Sequence, residues 1–138
     1  MTRVALLSSE PIRPAMGGIG IRYLELARRL PELGFDTVLI SPAAPEESAR
    51  CGLDPARVRR FEPGAVAALV ADCAVAVAQG QLANDLLAAA RPDLPVAIDL
   101  YDPWLVENLH YLDSLGLDPY RNDHATWVVQ LARGDVFL

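Results

Sequence analysis

The sequence predicts an α/β protein: a Rossmann-like three-layer sandwich with a mostly parallel sheet between helices. Three observations predict it. Short apolar runs alternate with helical patterns along nearly all of the 138 residues, as in strands joined by right-handed helical crossovers. The runs are close to continuously apolar rather than alternating, which suits strands buried on both faces. No internal repeat or low-complexity tract interrupts the chain, so residues 1–138 read as one domain with a sizeable core.

The elements follow in order. "RVALLSS" (3–9) is a first strand, followed by a loop holding Pro11 and Pro14. Ile19, Tyr23, Leu26, Ala27, Leu30 and Leu33 then share one face of an amphipathic helix that ends at Gly34. Pro31 removes a backbone donor and predicts a kink in the last turn. "DTVLISP" (36–42) is a second strand. Residues 43–56 read as loop, with a short helical turn after Asp54-Pro55. "RVRRF" (57–61) reads as an edge strand, "GAVAALVAD" (64–72) as a helix and "CAVAVAQ" (73–79) as a strand. "QLANDLLAAAR" (81–91) is helical and "PVAIDL" (95–100) is a strand. Two helices then open on Asp102-Pro103 and Asp118-Pro119, each a capping carboxylate with proline at the first helical position. They end near Gly116 and Gly134. "DVFL" opens a further strand, and the expectation is a fragment of a longer protein.

Composition removes several function classes. The net charge is −6, which argues against the dense basic face that nucleic acid requires. Every basic side chain is arginine. Without lysine, a Walker-type phosphate loop, a receiver domain and a Schiff-base enzyme all lose an essential group. Cys51 and Cys73 lack metal-type spacing and read as reduced and structural; His110 and His124 form no zinc pattern, so no metal site is expected. No apolar run reaches the length of a membrane span, and the N-terminus has no secretory signal. A soluble, cytoplasmic protein is expected, with peripheral attachment at the inner membrane face left open.

Chemistry is expected beyond the carboxyl ends of the strands, where ligands bind in such sheets. There lie the glycines of "MGGIGIRYLELARRL", Gln79-Gly80 and the stretch from Asp99 to Asp102. The dinucleotide fingerprint fits poorly: about eight residues separate the first strand from Gly17, and Tyr23 stands where a third glycine belongs. A longer loop that delivers Gly17, Gly18 and Gly20 to a helix start fits better, since free amides and the helix dipole favour an anion there. A tight loop-to-helix turn explains the same glycines, and the residues leave both readings open.

The stretch "MGGIGIRYLELARRLPELGFDTVLISP" resembles the N-terminal segment of family 4 glycosyltransferases of the GT-B fold. These carry a glycine-rich GG-x-G after a long first loop, then a helix with L-A-x-x-L and a second strand opened by G-H-x-V. Here the helix reads L-A-R-R-L and the strand opens G-F-D-T-V, with Phe35 in place of histidine. The match covers about residues 1–42 and extends, with less specificity, through "AIDLYDPWLVENL" and "VVQLARGDVFL".

The resemblance implies the N-terminal, acceptor-side half of a two-domain hexosyltransferase-like enzyme of retaining mode. Its donor is a nucleotide-diphosphate sugar and its acceptor a sugar, lipid or small molecule. The C-terminal donor-binding domain is absent from this chain, which alone is expected to be inactive, and no cofactor is implied. By the same resemblance Gly17, Gly18, Gly20 and Arg22 contact the donor phosphates. Asp99 and Asp102 are the candidates to orient or deprotonate the acceptor hydroxyl. Gln79, Gly80, Tyr101 and Glu107 line the acceptor side, and Trp104 and Tyr111 either stack on sugar or pack in the core. Structural uses stay open beside these roles: a helix cap for Asp102, dipole compensation for Glu107, a strand-to-helix turn for Gln79-Gly80. Two further readings also stay open. One is a non-catalytic Rossmann-like interaction module. The other is a dinucleotide-binding domain, poorly served by Ser41 and Pro42 where an acidic ribose contact would stand.

Overall fold

In the computed structural model, which describes residues 1–90, 92–100 and 109–138, every strand pairing is parallel. The strands are β1 (Arg3–Leu7), β2 (Asp36–Ser41), β3 (Val58–Arg60), β4 (Val75–Ala78), β5 (Val96–Ile98) and β6 (Val136–Phe137). They lie in the order β3-β2-β1-β4-β5-β6. The chain builds outward from β1 to β3, then returns to the other side of β1 with β4. That reversal opens a crevice at the carboxyl ends of β1 and β4. In register, Leu6 of β1 faces Leu39 of β2 and Val77 of β4, and Val77 faces Ala97 of β5.

The helices are α1 (Gly18–Arg29), α2 (Pro45–Ala49), α3 (Val66–Leu69), α4 (Gly80–Ala89), α5 (Leu112–Leu115) and α6 (Leu117–Arg133). Two apolar layers hold them to the sheet. On one face Leu6, Leu39, Val77 and Ala97 pack against Tyr23, Leu24 and Ala27 of α1. On the other, Leu7, Ile40, Ala78 and Ile98 pack against Val66, Leu82 and Leu86. Alternate strand residues serve alternate faces, as the pleat demands. The three-layer sandwich is the expected one, and the sheet is wholly parallel.

Four local expectations need correction. Pro31 changes the helix type rather than kinking it: α1 stops at Arg29 and a 3₁₀ turn, Leu30–Leu33, carries the proline in its first turn. Gly34 closes that turn at φ 87°. Within 43–56 a helix, α2, precedes the expected turn at Pro55–Arg57. It begins at Pro45, and Glu47 Oε2 accepts the Ala44 N–H at 3.3 Å. The helix expected over 64–72 is reduced to the single turn of α3, which follows Gly64 at φ 82°. Asp118 is not the cap of the last helix. Gly116, at φ 81°, turns the chain so that α6 starts at Leu117 and Asp118 falls in its first turn. There it faces the helix dipole and pairs with Arg121 at 3.6 Å.

Among the described residues no helix is long and apolar enough to cross a membrane.

Candidate functional site

The two-residue period of a strand builds the floor of the site. Leu6, Leu39, Val77 and Ala97 all face α1. Two residues further along each strand come Ser8, Ser41, Gln79 and Asp99. They continue the same face past the carboxyl edge. All four are buried, between 0% and 8% exposed. The ladder persists to that point, since Ser8 N–H donates to the Ile40 carbonyl and Asp99 N–H to the Ala78 carbonyl, both at 2.9 Å. A polar row therefore caps an apolar layer across four adjacent strands.

The members of the row are engaged in different ways. Ser8 and Ser41 hold the loop that leads to α1: Ser8 Oγ donates to the Glu10 carbonyl at 2.9 Å, and Ser41 Oγ accepts the Ile12 N–H at 3.0 Å. Asp99, whose side chain is fully buried, takes both arms of Arg22 from α1. Nε donates to Oδ2 at 2.8 Å and Nη2 to Oδ1 at 3.1 Å. This is the two-pronged geometry in which guanidinium and carboxylate bind best. Gln79 differs, because its buried Oε1 has no hydrogen-bond partner. The Tyr23 hydroxyl is in the same condition. Burial pushes the Tyr23 phenol far up, and the negative charge of Asp99 adds to the shift.

Gly17 and Gly20, at the head of α1, allow close approach. None of Gly17, Gly18 and Gly20 has a positive φ, so other side chains suit their backbone angles. A Cβ on Gly17, however, would stand 2.6 Å from Glu10 Oε1, and one on Gly20 would stand 3.0 Å from Met16 Cβ. Glu10 Oε2 accepts the Gly20 N–H at 2.8 Å, so a carboxylate already faces the helix start. Gly17 is the N-cap and supplies no side chain of its own. A groove of about 480 Å³ lies on the loop side of this seat, lined by Glu10, Arg13, Met16 and Gly17. Another of about 460 Å³ runs along α1 past Gly18, Ile21, Arg22 and Glu25.

Gly80 opens α4 at φ 55°, a conformation glycine adopts without strain. Its carbonyl accepts Gln130 Nε2 of α6 at 2.7 Å. That contact gives Gly80 a structural task next to Gln79. Tyr111 is 54% exposed and meets His110 edge-on, with ring centroids 5.2 Å apart; it is not the core residue its aromaticity suggests. Tyr101, Asp102, Trp104 and Glu107 lie outside the described residues. Among those described, no group of three or more His, Cys, Asp or Glu residues could hold a metal ion.

The fold thus brings Arg22 and Asp99 into one pair, with Gln79 beside it and the glycines at the other end of the same helical turn. Sequence reasoning passes over Glu10, Ser8 and Ser41. The serines were legible as polar residues closing two apolar runs in step with Gln79 and Asp99. Glu10 carried no such signal, since its contact depends on the path of the loop.

This architecture defines a fold class, a six-stranded, wholly parallel sheet flanked by helices that matches a Rossmann-like GT-B half. Among solved structures it is similar to an alpha-glucosyltransferase in complex with UDP and a 13-mer DNA containing a HMU base. The identity is 16% and the TM-score 0.57, over 98% of this chain and 36% of that one. An alpha-glucosyltransferase with UDP and a 13-mer DNA containing a central A:G mismatch gives 17% identity and a TM-score of 0.58, over 99% of this chain and 36% of that one. The chain therefore spans about a third of the length of these structures. No family model matches it, and no curated protein matches it in sequence.

Proposed function

We propose that this chain is the acceptor-side half of a glycosyltransferase that moves a sugar from a nucleotide-diphosphate donor to an acceptor hydroxyl. One observation carries the reading: α1 presents both a glycine-lined start and Arg22, which grips the buried Asp99 at the carboxyl edge of a sheet that matches a GT-B half. The UDP held by the similar structures supports a nucleotide-diphosphate donor.

In this reading the amides at Gly17, Gly18 and Gly20 stabilise negative charge on the leaving diphosphate, with Arg22 adding its cation. Asp99, with Asp102, orients the acceptor hydroxyl or takes its proton. Gln79 Oε1, buried without a donor, suits a hydroxyl that donates to it. Gly80, Tyr101 and Glu107 complete the acceptor side. Retention at the anomeric carbon and a hexosyl donor are the finer parts of the proposal. DNA is not proposed as the acceptor, because the net charge of −6 opposes a polyanion.

The test assays the full-length protein for donor hydrolysis and transfer with a panel of sugar nucleotides. Gly18→Val keeps the amide but puts a branched side chain in the way of a phosphate, and should lower turnover by about 100-fold, the scale of losing one such contact; unchanged turnover would count against the reading.

A second reading, an interaction module, is favoured by Val128, Leu131, Val136 and Phe137, which are 43–53% exposed on α6 and β6. Light scattering and UDP titration separate the two. A stable oligomer that ignores UDP supports the module, and UDP binding supports the enzyme. A dinucleotide site finds no support at the tip of β2, where Ser41 is buried and engaged by the loop.

A further inference from the structure

The seat at the head of α1 is met by a carboxylate of the chain's own. Glu10 Oε2 accepts the Gly20 N–H at 2.8 Å, and Gly17 clears the space that Oε1 fills. The main chain of Glu10 is pinned: its N–H donates to Ser8 Oγ at 3.3 Å, and its carbonyl accepts from Ser8 Oγ at 2.9 Å and Ser41 Oγ at 3.3 Å. The side chain therefore starts from a fixed point and moves only by its own torsions. The groove of about 480 Å³ beside it leaves room for that movement, and Arg13 on its wall offers a displaced carboxylate a cation.

We infer that Glu10 is an internal counter-ligand of the donor-phosphate seat, so that its carboxylate and a diphosphate occupy the head of α1 in alternation. The inference rests on the reading of that seat given above. A second anion cannot crowd in at the Gly20 amide, which the Glu10 carboxylate already holds, without strong mutual repulsion. A diphosphate must move Glu10 aside and loses affinity by the cost of doing so. Only a ligand with further contacts, such as a nucleotide held elsewhere in the protein, overcomes that cost. Glu10 would in this way lower the affinity of every diphosphate at this seat by the same factor, leaving free phosphate and pyrophosphate, which lack further contacts, bound most weakly.

The experiment titrates the full-length protein with inorganic pyrophosphate and with UDP, by calorimetry, in the wild type, Glu10→Gln and Glu10→Ala. Glu10→Gln keeps the length and an oxygen for the Gly20 amide but removes the charge. Both neutral variants should bind pyrophosphate and UDP about tenfold more tightly, a difference of about 1.4 kcal/mol. Adding Gly18→Val should abolish the gain. Unchanged or weaker binding in both variants, each confirmed as folded by its melting curve, overturns the inference. If UDP still binds and Gly18→Val still cripples turnover, the reading of the seat survives that failure. If no form of the protein binds either probe, reading and inference fall together.

Discussion

Arg22 and Asp99 illustrate how far one side chain depends on another here. Asp99 is 3% exposed, and the pair gives its carboxylate two guanidinium contacts. A buried carboxylate that loses its cation is destabilising by several kcal/mol. Arg22→Met should therefore cost roughly 2–3 kcal/mol in urea unfolding, less than a fully buried pair because the guanidinium is partly in water. The companion Asp99→Asn should restore part of it. If the single change leaves the unfolding midpoint in place, the pair is not a structural tie. The result also bears on mechanism, because a guanidinium that holds Asp99 this way couples the donor-phosphate candidate to the acceptor candidate. Each residue type was legible as a site candidate from its place after a strand or a glycine loop. Their union was not, since 77 positions separate them along the chain.

At the scale of elements, the opposite, amino end of the sheet is locked by charge. Arg3 of β1 bonds Asp36 of β2 at 2.6 Å and Asp72 at 2.6 Å, and Arg59 of β3 grips Asp72 at 2.7 and 2.8 Å. Arg59 also donates to the Leu69 carbonyl at the end of α3. The network ties the short turn of α3 to three strands. The hydrogen bonds of Arg59 hold the Asp72 carboxyl far below its ordinary value, with Arg3 adding to the shift. A depressed carboxylate stabilises the fold above its unfolded pKa and loses that contribution as pH falls. Asp72→Asn should thus cost up to about 1 kcal/mol at neutral pH, given its exposure, and nothing at strongly acid pH. The stability difference between wild type and variant should shrink as pH drops below about 4. A difference that holds constant with pH would refute the assignment. The elements themselves were largely readable: buried parallel strands declare themselves by continuous apolar runs. The reduction of the helix at 64–72 to one turn was not, because alanine-rich sequence suits a helix whether or not the sheet leaves space for one.

For the molecule as a whole, the docking of α6 is the contact that reaches the site candidates from furthest along the chain. Gln130, 1% exposed, donates to the Gly80 carbonyl at 2.7 Å, and Asn84 donates to the Thr126 carbonyl at 3.4 Å. These bonds fasten a helix near the end of the chain to the turn that presents Gln79. Gln130→Leu removes a side-chain donor from the part-buried Gly80 carbonyl and should cost about 0.5–1.5 kcal/mol. If the proposed transfer activity holds, the substitution should also raise KM for the acceptor with little change in KM for the nucleotide sugar, which steady-state kinetics on the full-length protein would check. Equal effects on both would place the docking contact outside acceptor binding.

The amino-acid sequence by itself determined the fold class and the strand positions, and it singled out the carboxyl edge as the place to look for chemistry. Those follow from local periodicity and from the rule that a parallel strand needs a crossover. It also determined the bare main chain at the head of α1. Tertiary structure alone decided what that bareness admits, namely the Glu10 carboxylate, and that Arg22 and Asp99 form one unit. It also decided that Gln79 Oε1 and the Tyr23 hydroxyl are buried without partners. Contacts between distant segments depend on register and loop path, and these are set by the packing of the whole domain rather than by any stretch read alone.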